Sequence, residues 1–190
     1  MAFLVQPALM TVEDFERFAE LPENADKMLE WVDGEVFQVP SNTFASNIAQ
    51  LIGFFIRLWI RENGIKGYVT EGQGGYKVGS NRFAPDVGYI SAARQATLTR
   101  QGYNELPPEL AVEVISAANN TQELHILRRK VTAYLAVGCV VWVVDPFNKT
   151  LEVHAPAEAP RLYDEASTLS GEPVFPAFRL ALTEIFSEAA

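Results

Sequence analysis

A chain of 190 residues, 48% apolar and 21% charged, has the length and composition of one globular domain with a sizeable core. Its formal net charge of −9 argues against a general nucleic-acid binder, and its single cysteine, Cys139, excludes an internal disulfide. Met1 to Met10 carries no positive charge and no cleavage-site pattern, and Arg57 and Arg61 interrupt the strongest apolar run, so no signal peptide and no membrane span are expected and the location reads as cytoplasmic.

Thr11 can cap a short helix, Val12 to Glu20, with Glu13 and Asp14 in its first turn and Phe15 and Phe18 as its docking face. Met28 to Val39 follows with Asp33-Gly34 between apolar flanks, a strong hairpin signal, and Glu30 and Glu35 fall one on each arm. Ser41-Asn42-Thr43 supplies caps for a long helix. Its stripe Phe44, Ile48, Leu51, Ile52, Phe55, Leu58 and Trp59 has the 3.6-residue period of a core-facing surface, and Asn63-Gly64 stops it. Tyr68-Val69-Thr70 opens a strand. The glycine-rich Glu71 to Gly75 lacks the spacing of a phosphate loop and reads as a bulge or a close backbone approach. Tyr76-Lys77-Val78 runs on to a turn at Gly79-Ser80-Asn81.

A strand then carries Asp86, and Ser91 to Pro108 is a polar connection. The run Leu110 to Ile115 is apolar except for Glu113 and has the character of a strand buried on both faces. Asn120 with Glu123 forms a capping box for a second helix with buried face Leu124, Leu127, Val131, Tyr134 and Leu135. Lys130 and Arg128 border that face and Arg129 points away. Gly138 closes the helix, Cys139 to Val144 is another buried strand with a structural thiol at its head, and Leu151 to His154 alternates like an edge strand. The acidic tail with Pro156, Pro160, Pro173 and Pro176 reads as a wrapping extension. The order of elements predicts a mixed sheet with helices on it, an α/β or α+β domain.

Asp86 and Glu113 carry the chemistry. An ionised carboxylate in such apolar surroundings is costly unless it is paired, hydrogen-bonded or bound to metal. Two carboxylates on neighbouring strands can share Mg²⁺ or Mn²⁺, which suits oxygen ligands and supports phosphodiester cleavage, and Lys130 can stabilise the charge that develops. Residues 57–149, which hold both acids, are the only basic part of the chain, with a net of +3 between flanks of −7 and −5. In the alternative reading, Glu113 is a structural acid paired with Lys130 or Arg128, and Glu30 is a hairpin charge facing water. Glu71 and Gln73 can enter the site or stay outside it. His125 and His154 read as surface residues, and Tyr134 and Trp142 as core.

Several segments resemble the Uma2 family of predicted endonucleases, once a domain of unknown function, in the PD-(D/E)XK restriction-endonuclease-like superfamily. They are Leu29-Glu30-Trp31-Val32-Asp33-Gly34-Glu35, Pro85-Asp86-Val87, Pro107 to Ser116, Lys130-x-x-x-Tyr134-x-x-x-Gly138 and Val141 to Pro146. The resemblance covers about residues 11–153. It implies an αβββαβ core at about 28–154 within a single domain 1–190, preceded by a helix at 11–20 and followed by an acidic C-terminal extension at 155–190. It implies that Asp86 and Glu113 ligate the metal, that Lys130 on the helix replaces the strand lysine, whose position is Ile115 here, and that Glu30 is a further metal or water contact. The His that many members carry at the start of the long helix is absent from Phe44-Ala45-Ser46-Asn47. The expectation is a Mg²⁺- or Mn²⁺-dependent endonuclease acting on DNA, with a homodimer suggested by the habit of related nucleases of pairing to cut two strands. The alternative is a non-catalytic homodimeric interaction module that keeps the nuclease fold; a third is a metal-dependent hydrolase of small molecules.

Overall fold

The structure is a computed structural model that describes residues 9–24, 26–38, 42–100, 102–118 and 120–187, together with the backbone of 3–6. The cap candidate Ser41, the hairpin residue Val39 and positions 1, 2, 7 and 8 of the N-terminal stretch lie outside the described residues. In chain order the elements are β1 (Phe3–Gln6), α1 (Val12–Ala19), β2 (Leu29–Val32), β3 (Glu35–Gln38), α2 (Thr43–Glu62), β4 (Gly67–Glu71), β5 (Tyr76–Val78), β6 (Asn81–Phe83), β7 (Val87–Ser91), β8 (Leu110–Val114), α3 (Thr121–Ala136), β9 (Val140–Asp145), β10 (Thr150–His154), β11 (Arg161–Asp164), β12 (Thr168–Ser170), β13 (Arg179–Ala181) and α4 (Thr183–Phe186).

A six-stranded sheet in the order β11-β10-β9-β8-β7-β4 forms the centre. Its pairs are antiparallel except β8 and β9, which run parallel because α3 is the crossover between them. The series α2, β4, β7, β8, α3, β9 is the expected αβββαβ core. A second sheet, β1-β3-β2-β6-β5, is built around the Asp33-Gly34 hairpin, whose two turn residues both have positive φ, at 49° and 98°. The chain leaves the central sheet after Glu71 and passes through the glycine-rich link. There a Cβ on Gly75 would come within 2.4 Å of the Tyr103 ring, a close approach of the kind the glycines predict. It returns at Ala84-Pro85-Asp86.

The two faces of β8 split by alternation. Leu110, Val112 and Val114 point into the α2-side core with Ile48, Ile52 and Ile56. Ala111 faces α3 with Ile126, Tyr134 and Val141, and this second cluster continues into Val32, Phe37 and Phe83 of the other sheet. The helix α3 is thereby held between the two sheets, which brings hairpin residues and central-strand residues onto one helix.

Several expectations change. The buried face of α2 is Ala45, Ile48, Ala49, Ile52, Gly53, Ile56 and Ile60, rotated from the predicted stripe. Small residues let the helix sit close on the sheet, and Leu51, Phe55 and Trp59 pack at its flank. By length and composition α2 is apolar enough to cross a membrane in spite of its arginines, and here its apolar face lies on the sheet. In α3 the centre of the buried face is Ile126, Lys130 and Tyr134, with Leu124, Leu127 and Leu135 at its margins. Strand β10 is not an edge, since β11 pairs outside it. The tail also does more than wrap. Its Phe175, Phe178, Leu180, Leu182, Ile185 and Phe186 are buried in the main core, where Phe175 meets Tyr89 and Trp59 edge-on.

Candidate functional site

Three elements and one loop bring the four expected side chains into the same region. Glu113 sits mid-strand on β8 on the α3 side, and Lys130 on α3 reaches it, with Nζ donating to Glu113 Oε2 at 2.7 Å. The same ammonium donates to Glu30 Oε1 on β2 at 2.8 Å. One turn further along α3, the Tyr134 hydroxyl donates to Glu113 Oε1 at 3.2 Å. Asp86 arrives from the loop before β7, and its Oδ2 accepts from the Val114 N–H at 2.7 Å, beside Glu113 in sequence. Glu30 Oε1 also accepts from the Ala84 N–H at 2.8 Å, tying the segment that leads into Asp86. Glu30 is therefore buried in the network rather than facing water, and at 1% exposure it has no solvent to offset its charge.

Burial is the largest influence on Asp86, Glu113, Lys130 and Tyr134. It pushes the Asp86 carboxyl up to about 6, against the pull of the Val114 N–H and the Lys130 ammonium. It pushes the Glu113 carboxyl above the usual carboxylate range; Lys130 offsets part of this, while Glu30 and Asp86 add to it as like charges. Burial also works against the Lys130 ammonium, but Glu113 and Glu30 outweigh it, and the lysine stays protonated with its pKa above the ordinary range. The Tyr134 hydroxyl is held well above its usual value by burial and then by the Glu113 and Glu30 carboxylates, so it is a donor at neutral pH.

Asp86 opens onto a cleft of about 460 Å³ whose wall includes Gln50, Phe54 and Arg57 of α2, and Glu71 and Gln73 of the glycine-rich link. Gln50 Nε2 donates to Glu71 Oε2 at 3.3 Å. Both Glu71 and Gln73 thus reach the cleft, one of the two outcomes open from sequence. The contributions of Gln50, Phe54 and Arg57 escape a sequence reading that weighs only the core face of the helix. His125 is exposed, and His154 pairs with Glu152 on β10 at 3.0 Å. Tyr134 and Trp142 are core residues as expected, although Tyr134 also bonds the site's acid. Arg129 does not point away: it donates to Asp33 Oδ2, Glu35 Oε2 and the Val32 carbonyl, clamping the hairpin.

Among the described residues no group of three or more His, Cys, Asp or Glu side chains gathers as a metal cluster. The donor set at the site is two carboxylates, with no sulfur or imidazole. It fits a hard cation such as Mg²⁺, which takes one or two protein carboxylates and completes its shell with water and phosphate oxygens. Asp86 is the more open ligand, since Glu113 already accepts from two donors.

The sequence matches the Uma2 family, described as "Putative restriction endonuclease", over residues 12–183. No curated protein matches it in sequence. Among solved structures, it is similar to one described as a "putative nuclease belonging to DUF820" from Anabaena variabilis ATCC 29413. That match has a TM-score of 0.77 at 18% identity and covers 95% of this chain and 99% of the other, a likeness of fold. The fold is the restriction-endonuclease-like one, and with most of its length matched the chain belongs to the Uma2 family.

Proposed function

We propose that the chain is a metal-dependent endonuclease that hydrolyses phosphodiester bonds in DNA. The observation that carries this reading is Asp86 on the wall of a cleft, bonded to the Val114 N–H and within electrostatic reach of the buried Glu113–Lys130 pair behind it. Asp86 and Glu113 would hold Mg²⁺ or Mn²⁺, which when bound supplies Lewis-acid stabilisation of phosphate charge and a more acidic water. The chain's own groups orient the site. The Val114 N–H and Tyr134 hydroxyl fix the two carboxylates, and Glu30 holds Lys130 in place. The Lys130 ammonium keeps its proton and presents positive charge where a phosphate gains negative charge.

Thermal unfolding with EDTA and then with millimolar Mn²⁺ tests the metal. A site held at about a hundred times its dissociation constant gains roughly 2.7 kcal/mol, several degrees in Tm. The wild type is expected to shift and Asp86→Ala to lose both the shift and Mn²⁺-dependent plasmid nicking. Nicking that survives in Asp86→Ala sinks the assignment.

A second reading draws on the closed contacts of Lys130. The Glu30–Lys130–Glu113 triad is a complete ion-pair network without any metal ion, as a non-catalytic, homodimeric interaction module would keep it. It predicts no Mn²⁺ shift in either protein.

A further inference from the structure

The flank of α2 beside the cleft carries Ser46, Gln50, Phe54, Arg57 and Arg61, all exposed. Steps of four, four, three and four residues keep them on one stripe, about a quarter of the helix circumference wide and about 22 Å long. The first four line the cleft that holds Asp86. Phe54 is 55% exposed, and its ring meets Phe55 edge-on at 5.4 Å, which leaves its outer face to solvent. Arg57 is tethered to the Val69 carbonyl at the rim. An exposed ring between an amide and two guanidinium groups is an odd surface for a helix whose other face already fills the core.

The neighbouring hollow is different. Through Met28 and Gln73 the cleft adjoins a second hollow of about 590 Å³, rimmed by Glu16, Glu20, Asp26 and Glu105 against Lys27 and Lys77. Lys77 is already paired with Glu105 at 2.9 Å and lies 3.8 Å from Glu16. The stripe sets two arginines against the one acid of its cleft that bonds it, Glu71, whereas the second hollow sets four acids against two lysines, so phosphates favour the α2 side. A duplex centred on Asp86 would extend phosphates over the acidic hollow as well, whereas one strand can lie along α2 alone. An unpaired base also exposes the π-face that an aromatic side chain stacks on, and such stacking is indifferent to sequence.

We propose that the site takes an unpaired polynucleotide strand, laid along α2 with one base stacked on Phe54 and its phosphates toward Arg57 and Arg61. The location of the cut rests on the nuclease reading, and the stacking surface does not. Fluorescence anisotropy with a labelled single strand of about 16 nucleotides and with its blunt duplex tests it, in an Asp86→Asn background so that nothing is cut. The single strand is expected to bind at least about tenfold tighter than the duplex. Phe54→Ala should weaken single-strand binding roughly tenfold, leave duplex binding within about twofold, and leave Tm unchanged. Arg61→Ala should lower the slope of log K against log salt for the single strand by about 0.7. Equal or tighter duplex binding, or a Phe54→Ala protein that holds the single strand within about twofold of its parent, overturns the proposal. A wild type that nicks duplex plasmid while Phe54→Ala changes nothing discards this inference and keeps the nuclease. A wild type that binds single strands through Phe54 but cuts neither substrate keeps the inference and discards the nuclease.

Discussion

Lys130 and Arg129 are neighbours on α3, and both bridge that helix to acids of the β2–β3 hairpin. Lys130 reaches Glu30 with both side chains almost wholly buried, at 6% and 2% exposure. Arg129 reaches Asp33 and Glu35 at the turn, where the acids are 55% and 38% exposed. The same connection made in two media has different consequences. At the turn, water screens the pair and can replace either partner. In the interior nothing replaces a lost partner, so every charge in the triad depends on the others. The buried connection is also the one that carries strongly shifted groups, which is the usual mark of a site.

The largest effect expected from this contrast is Lys130→Met, which strands Glu30 and Glu113 without their cation and should cost about 3–5 kcal/mol in denaturant unfolding. Adding Glu30→Gln and Glu113→Gln should return part of that loss; no return would mean that packing rather than charge is at stake. Next comes pH, measured in EDTA. The folded pKa of Asp86, about 6, lies above its ordinary 3.8, so its contribution to stability is fully present below about 4 and is lost as pH rises through 6. Wild type should therefore gain on Asp86→Asn as pH falls from about 7 to 4, and a flat difference would show that Asp86 is solvated. Tyr134→Phe leaves a buried carboxylate oxygen without its donor and should cost about 1–3 kcal/mol, mostly at pH values where Glu113 is ionised. Smallest is Arg129→Ala, worth about 0.5 kcal/mol and shrinking further in high salt; a loss as large as that of Lys130→Met would erase the comparison.

Much of this arrangement is legible in the residues. Thr11 caps α1 through the Asp14 N–H, Asn42 caps α2, Asp33-Gly34 turns the hairpin, and the acids in β8 and before β7 stand out from their apolar neighbours. The errors share a cause. Lys130 reads as a border residue because periodicity counts only apolar side chains, yet a buried acid facing the helix draws a lysine to its centre. On α2 the largest side chains suggest the wrong azimuth, because close packing favours Ala45, Ala49 and Gly53. The polar connection Ser91 to Pro108 hides Asn104, which is buried and bonds to Gln95 and the Leu106 carbonyl, a role no periodicity announces. The prolines of the tail mask Phe175, Phe178, Ile185 and Phe186, whose apolar character is plain when the breakers are set aside.

Those four residues also set an order of events. They cover Trp59, Tyr89 and Trp142 on the α2 side of the sheet. During synthesis, at about 5–20 residues per second, the apolar surface around these side chains stays open to water until positions 175–186 have left the ribosome. A nascent chain stalled before Phe175 would carry every residue of the candidate site on an unsealed core, a natural target for chaperones and proteases.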